Sequence, residues 1–416
     1  MNRIVFLTLM GAWGAGAQTL PDRVTIAQAV QEAIDHNLNL LAERYNISVA
    51  DARIITAKLR PNPVATAGVD YIDFLGQFRP DQNVGPTEYN VRTDFLLERG
   101  GKRERRIEVA RDAREVAQLQ LLNTSRLLVL DVQSAFVDVL QAKDNVTLAR
   151  ENLAAFQGIV EVNTTRVRAG DLAKVELTRT QVARIQFQSA VRQAESKLRI
   201  ALNRLQTLMG RAVPSPTLDV EGPMRRDSDQ VVLATVATQA LELRPDLQAL
   251  HRDQARSQAE IRSQIAQGKV DLTVSSMFHR QFYNGASDTL GFFISAPVPV
   301  FNRNQGEIER ARREQQQILA RIKAAEAAVQ DEVRNAWVQY NTARELLDSI
   351  ERDLLDQARD VRATMEYSYR RGEASLVEFL DAQRAFNDAR QSYNDARADF
   401  ARSLYTIDSI SGKAVR

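Results

Sequence analysis

From Ile308 to Met365, apolar or small residues recur at Ala311, Ile318, Ile322, Ala325, Val329, Val333, Ala336, Tyr340, Ala343, Leu347, Ile350, Leu354 and Val361. The gaps are mostly three and four, or sums of them, which is the seam of a helix packed lengthwise against neighbours. Neither Gly nor Pro interrupts the stretch between Gly306 and Gly372. At 1.5 Å per residue it predicts one rod of roughly 100 Å, far longer than an ordinary globular helix. A second rod is expected from Lys102 to about Val167, with its seam at Val109, Ala113, Leu121, Leu128, Val132, Phe136, Val139, Val146, Leu153, Phe156 and Val160. Both rods end in glycine turns, Ala169-Gly170-Asp171-Leu172 and Arg371-Gly372-Glu373-Ala374, which feed shorter helices ending near Met209 and Ile410.

Elsewhere the period falls to two. Tyr89, Val91, Thr93, Phe95 and Leu97 point one way, and Asn90, Arg92, Asp94 and Glu98 the other, the alternation of a strand with two unlike faces. Strands are expected over residues 64–74, 88–98, 270–283 and 289–300. Leu272, Val274, Ser276, Phe278 and Phe282 share a face of the third. Polar loops at Leu75–Pro86 and Asn284–Ser287 join them in pairs. An apolar outer face and a charged inner one suit a barrel wall between lipid and a wet lumen. A half-buried strand in a soluble sheet has the same signature.

The plan occurs twice. Helices at Val24–Leu59 and Val231–Gln267 precede the strand pairs, and Pro61-Asn62-Pro63 stops the first. Gly101 matches Gly306, Gly170 matches Gly372 and Val24 matches Val231, an offset of about 205 residues. The expected organisation is a first repeat over residues 18–222 and a second over 223–416, each reading helix, strand, strand, long helix (about 102–167 and 303–371), turn, helix. The Pro-bearing stretch Gly210–Pro223 reads as a linker.

Composition narrows the choice. Charge reaches 26% in nearly balanced signs, with a net of +2. That suits long solvated helices and gives no case for nucleic acid. The chain has no Cys and three His (His36, His251, His279), far apart, so no metal site and no cofactor is expected. No nucleophile–base pair or phosphate loop points to an enzyme. Residues 1–17 read as a signal peptide: Arg3, an apolar run from Ile4 to Trp13, and Ala15-Gly16-Ala17 at the cleavage site, with the mature chain starting near Gln18. No later segment is apolar enough for a helical span, so any membrane crossing must use strands. Four strands cannot close a barrel, and an open edge is not tolerated in lipid. Closure then needs several chains.

Four stretches, in this order and spacing, resemble the TolC-like outer membrane factors, the outer membrane efflux protein family. They are Val24-Thr25-Ile26-Ala27-Gln28-Ala29-Val30 with Leu59-Arg60-Pro61-Asn62-Pro63; Gly100-Gly101-Lys102-Arg103; Val167-Arg168-Ala169-Gly170-Asp171 with Val175-Glu176; and Arg371-Gly372-Glu373 through Arg384. The resemblance spans essentially the whole mature chain. It implies a mainly α fold with transmembrane β, in which four strands per chain build a twelve-stranded trimeric β-barrel above a long periplasmic α-helical barrel. It also implies an outer-membrane exit duct of a tripartite efflux system, partnered by a periplasmic adaptor, an inner-membrane pump and outer-membrane lipid. The alternatives are the same duct in type I protein secretion and a secreted coiled-coil scaffold without a pore.

By the same resemblance, the glycine turns lie at the far periplasmic tip. Glu378 and Asp381 would each form a ring of three carboxylates that narrows the closed entrance and binds cations. Glu176 aligns with a further acidic gate position, and Tyr369 with a tyrosine that helps hold the gate shut. Ala374 stands where the family places an arginine, with Arg370 or Arg371 as substitutes. Gly170, Asp171, Leu172, Gly372, Glu373 and Ala374 are candidates for docking the adaptor's hairpin tips. The basic run Lys102-Arg103-Glu104-Arg105-Arg106 is expected just below the barrel, near headgroups or solvent. Tyr71, Phe74, Tyr89, Phe95, Phe278, Phe282, Tyr283, Phe292 and Phe293 would fit interface girdles. Trp337 and Tyr340 read as helix-packing residues.

Overall fold

A computed structural model describes residues 23–72, 74, 87–282 and 285–413. The expected signal peptide, most of the first inter-strand loop, and Tyr283 lie outside the described residues. In chain order the elements are β1 (Arg23–Val24), α1 (Ile26–His36), α2 (Leu38–Lys58), β2 (Val64–Asp70), β3 (Glu88–Leu97), α3 (Lys102–Ala169), α4 (Lys174–Leu208), β4 (Asp219–Val220), α5 (Leu233–Leu243), α6 (Pro245–Gln267), β5 (Leu272–Gln281), β6 (Ser287–Ser295), α7 (Gln305–Ser349), a π-helical turn (Ile350–Leu354), α8 (Leu355–Arg371) and α9 (Leu376–Ile410). No described helix is long and apolar enough to cross a membrane.

The described chain forms two compact units, each taking segments from both halves of the sequence. One holds the residues up to Asp35 with Val132–Met224 and Ala358–Asn394; the other holds His36–Asp131, Arg225–Gln357 and the chain from Asp395 on.

The second unit contains an antiparallel sheet in the order β2-β3-β5-β6. Paired residues share a face, so the register assigns the faces directly. Ala67 pairs Val91, which pairs Phe278, which pairs Leu290. One face therefore carries Val69, Tyr89, Val91, Phe95, Leu97, Val274, Phe278, Leu290, Phe292 and Ile294. It is uncovered: Leu290, Phe292 and Ile294 are 65, 74 and 75% exposed. The other face is a polar network. Arg92 binds Asp94 at 2.7 Å and Ser275 at 3.0 Å, His279 meets Glu88 at 2.8 Å, and Asn90 donates to Asp70 at 2.7 Å.

All four strands end before their expected limits, β3 at Leu97 and β5 at Gln281 by a residue or two and the other two by more. β2 stops at Asp70 instead of residue 74, because Tyr71 turns left-handed at φ 53°. β6 stops at Ser295 instead of residue 300, because Pro297 and Pro299 bring no N–H to the ladder.

At the strand-to-helix corner the basic run is fully engaged by protein groups. Buried Lys102 binds Asp271 at 2.6 Å, Arg103 donates to the Lys58 carbonyl at 2.6 Å, Arg105 meets Glu108 at 3.0 Å and Arg106 clasps Glu98. These cations brace the corner.

In the same unit α6 lies between two long helices. Arg252 reaches Asp112 and Glu115 on α3, and Arg262 reaches Glu108 at 2.5 Å. On its other side Asn304, ahead of α7, donates to the Gln264 carbonyl at 2.7 Å, and Arg310 on α7 approaches Glu260 at 3.8 Å. The α7 seam is buried at Ala311, Ile318, Ile322, Val329, Val333, Ala336, Tyr340, Ala343 and Leu347. Tyr340 sits fully inside against the Phe400 ring, with Trp337 half-buried beside it.

The second rod is helical throughout but not uniformly α, since Ile350–Leu354 form a π turn. Its origin is legible in the duplication. Buried Val132, Ala135, Val139 and Val146 match buried Val333, Ala336, Tyr340 and Leu347 at one constant spacing, whereas Gly372 follows Gly170 by one residue more. One extra residue has entered between Leu347 and Gly372, and a π turn is how a helix absorbs such an insertion.

The first unit contains a short parallel pairing inside the stretch read as linker: Arg23 with Asp219 and Val24 with Val220. Lys143 bonds both Asp219 and the Val220 carbonyl, and Arg211 clasps Glu32 at 2.6 and 2.8 Å.

Candidate functional site

The site is built in the first unit, around the two helix-to-helix turns. Each closes in the same way. Gly170 and Gly372 take φ of 88° and 82°, open to glycine at no steric cost. The following residue bonds back five positions: Asp171 N–H to the Arg166 carbonyl at 2.8 Å, and Glu373 N–H to the Ser368 carbonyl at 2.9 Å. This Schellman closure satisfies carbonyls that a helix end leaves orphaned. Asp171 and Glu373 are exposed at the tips, with Leu172 and Ala374 half-buried behind them. A side chain at Gly372 would also crowd the Arg166 guanidinium, 3.1 Å from its Cβ.

The turns rest on one apolar cluster: Phe156 and Ile159 from α3, Ala183 from α4, Tyr369 from α8, and Leu376 and Phe379 from α9. Tyr369 stacks on Phe379 with ring centres 5.6 Å apart, and Phe156 tilts onto Phe187 at 4.8 Å. Inside the cluster lies Asn163, with no exposed surface. Its Nδ2 donates to the Tyr369 hydroxyl at 2.7 Å and to Thr180 Oγ1 at 2.8 Å, and Thr180 in turn donates to the Glu176 carbonyl at 2.8 Å. Three helices are thus tied through one buried amide, where hydrogen bonds are strong and costly to leave unmade. The sequence reading missed Asn163. Its signal was a polar residue continuing the apolar seam of Phe156 and Val160.

The predicted acidic residues are in three different states. Glu378 closes a capping box: its carboxylate accepts from the Ser375 N–H at 2.7 Å and hydroxyl at 2.8 Å, while Ser375 Oγ accepts from the Glu378 N–H at 3.3 Å. The backbone and hydroxyl bonds from Ser375 hold this carboxyl below the usual glutamate range, so it stays charged and keeps the cap until pH falls through that lowered pKa. Glu176 is its counterpart in the first half, but Ala173 at that N-cap offers no side chain, and Glu176 pairs with Arg179 at 2.8 Å. Asp381 is 64% exposed and, among the described residues, meets only Arg384, at 3.3 Å. Glu378 and Asp381 share an exposed helix face without touching. Of the proposed substitutes for the absent arginine, Arg370 pairs with Glu366 at 2.7 Å and Arg371 lies over the Tyr367 ring at 4.5 Å. No group of three or more His, Asp or Glu that could hold a metal occurs among the described residues.

The chain matches the family described as outer membrane efflux protein over residues 29–211 and again over 236–413. It is 25% identical over 391 residues to the cobalt-zinc-cadmium resistance protein CzcC of Cupriavidus metallidurans, spanning 94% of this chain and 90% of that one. Its fold superposes on CusC with a TM-score of 0.76 at 18% identity, covering 93% and 92% of the two chains. It superposes on the CmeC outer membrane channel of Campylobacter jejuni with a TM-score of 0.78 at 13% identity, covering 94% and 86%.

Proposed function

This chain belongs to the outer membrane efflux protein family, and on that premise we propose that three copies form a passive, gated exit duct through the periplasm and outer membrane. Members of the family are channels, not enzymes. The observation that supports the duct most strongly is the sheet: four strands, one apolar face uncovered, one face lined with charge, and open edges on β2 and β6. Lipid accepts such a sheet only when both edges are paired, and three copies supply twelve strands, an even number within the known range. The polar face then lines a wet lumen.

In this reading an inner-membrane pump supplies the energy and a periplasmic adaptor docks at the two turns, through Gly170, Asp171, Leu172, Gly372, Glu373 and Ala374. The carboxylates of Asp381, Glu378 and Glu176 ring the entrance, and Tyr369 with Asn163 holds it closed. The relative named for cobalt-zinc-cadmium resistance makes divalent metal ions the first cargo to test.

The acids divide by structure. Asp381 is held only by the exposed Arg384 and faces solvent, where a cation can reach it, whereas Glu378 is committed to its cap. In planar bilayers, Asp381→Ala is expected to relieve divalent-cation block of single-channel current about tenfold, and Glu378→Gln by less than half as much on a logarithmic scale, an electrostatic difference of roughly 1.4 kcal/mol against under 0.7. Block unchanged in Asp381→Ala removes the entrance ring from the account.

A further inference from the structure

The chain has three histidines, and one of them, His279, stands in the sheet. It lies on the polar face of β5, where the register pairs it with Asn90 of β3 and Thr289 of β6. This is the loop end of the sheet, away from the strand ends that feed the helices. His279 Nε2 meets the Glu88 carboxylate at 2.8 Å, with the two side chains 21 and 17% exposed. An ionised carboxylate can only accept, so the ring donates through Nε2–H and its Nδ1 holds the lone pair. Nδ1 has no hydrogen-bond partner among the described residues. A proton arriving there adds a charge without breaking the bond to Glu88.

The polar face makes that charge count. Within the four strands its charged or titratable residues are Asp70, Glu88, Arg92, Asp94 and His279. Arg92 and Asp94 neutralise each other at 2.7 Å. Asp70 and Glu88 stand directly opposite in the β2–β3 register, a placement that like charges disfavour. Asn90 gives Asp70 a hydrogen bond at 2.7 Å but no charge. From β6 only Ser287 and Thr289 face the ring at this level, and neither titrates. Histidine is the side chain whose ordinary charge change falls between pH 5 and 8. The face thus carries two net negative charges per chain with a neutral ring and one with an imidazolium.

We propose that His279 makes the ion selectivity of the duct depend on pH. A neutral ring leaves a lumen wall that draws cations, and protonation halves the negative charge of that wall. This rests on the duct reading above, which puts the polar face on a wet lumen. At two per chain, three copies present six negative charges with neutral rings and three with charged ones. A channel lined by one sign of charge between low-dielectric walls concentrates the opposite ion, so the ratio of cation to anion passage follows that sum.

The test is the reversal potential of full-length protein in planar bilayers under a salt gradient, taken from about pH 8 to about pH 5.5. The cation-over-anion permeability ratio of the parent is expected to fall about twofold or more across that range. His279→Gln keeps an N–H for Glu88 but takes no proton, and is expected to hold the alkaline ratio throughout. His279→Arg carries a fixed charge and is expected to hold the acid ratio throughout, which a role confined to tying β3 to β5 would not produce. His36→Gln and His251→Gln, both off the sheet, are expected to keep the step of the parent. No step in the parent, a step surviving in His279→Gln, or an alkaline ratio in His279→Arg overturns the proposal and leaves the duct standing. Protein that forms no channel in bilayers overturns both.

Discussion

With Tyr369 holding the proposed gate closed, Tyr369→Phe is expected to raise the open probability of the channel in planar bilayers about fivefold or more. The substitution keeps the ring stacked on Phe379 but strips the hydroxyl that accepts from Asn163. Asn163 has no exposed surface, so its freed N–H cannot turn to water. Leaving such a donor unpaired costs about 1–3 kcal/mol, and one to two kcal/mol is a factor of about 5–30 in a two-state equilibrium. In the proposed duct the closed arrangement bears that cost in every copy. Tyr367→Phe provides the contrast, since Tyr367 is largely exposed and contacts Arg371 through its ring face. Equal conductance in Tyr369→Phe and the parent would take the Asn163–Tyr369 tie out of the closing mechanism and leave it a packing feature.

A charge on the apolar face of the sheet is expected to abolish the proposed assembly in the outer membrane. Phe292 and Val91 lie on that face in mid-strand, and both are exposed on the single chain. An arginine near the bilayer midplane of a barrel costs about 2–4 kcal/mol, and a trimer takes the penalty three times. Phe292→Arg with Val91→Arg is therefore expected to eliminate the heat-modifiable species from outer-membrane fractions. Thr289→Arg, three positions along the same strand and on the polar face, is expected to leave it intact. Loss from both variants alike would point to a generic folding defect, and tolerance of both would show that lipid does not contact this face.

The features most legible in the sequence were those written as periodicity. The α7 seam from Ala311 to Leu347 is buried where three-and-four spacing placed it, and the period-two run from Tyr89 to Leu97 divides its faces as read. Periodicity reports which side of an element is apolar, and packing obeys that. It says little about where an element stops, because the deciding terms are local: a left-handed Tyr71 and two prolines cut β2 and β6 short. The π turn was invisible to seam counting, since one inserted residue leaves the apolar gaps at three and four. It emerges only when buried positions of the two halves are matched. At the site, the Ser375-x-x-Glu378 spacing spells a capping box, which commits Glu378 to the helix end instead of leaving it an open carboxylate. Asn163 is not legible in the sequence, because a single polar residue in a long seam looks like an interruption, and only the fold brings Thr180 and Tyr369 to its amide.

The central claim is that this sheet exists only as a share of a wall completed by sister chains. Native mass spectrometry of the full-length protein released from detergent micelles tests it directly. The account predicts a single species of three chains that inserts into bilayers and conducts. A folded single chain that remains soluble without detergent and shows no affinity for bilayers would contradict it.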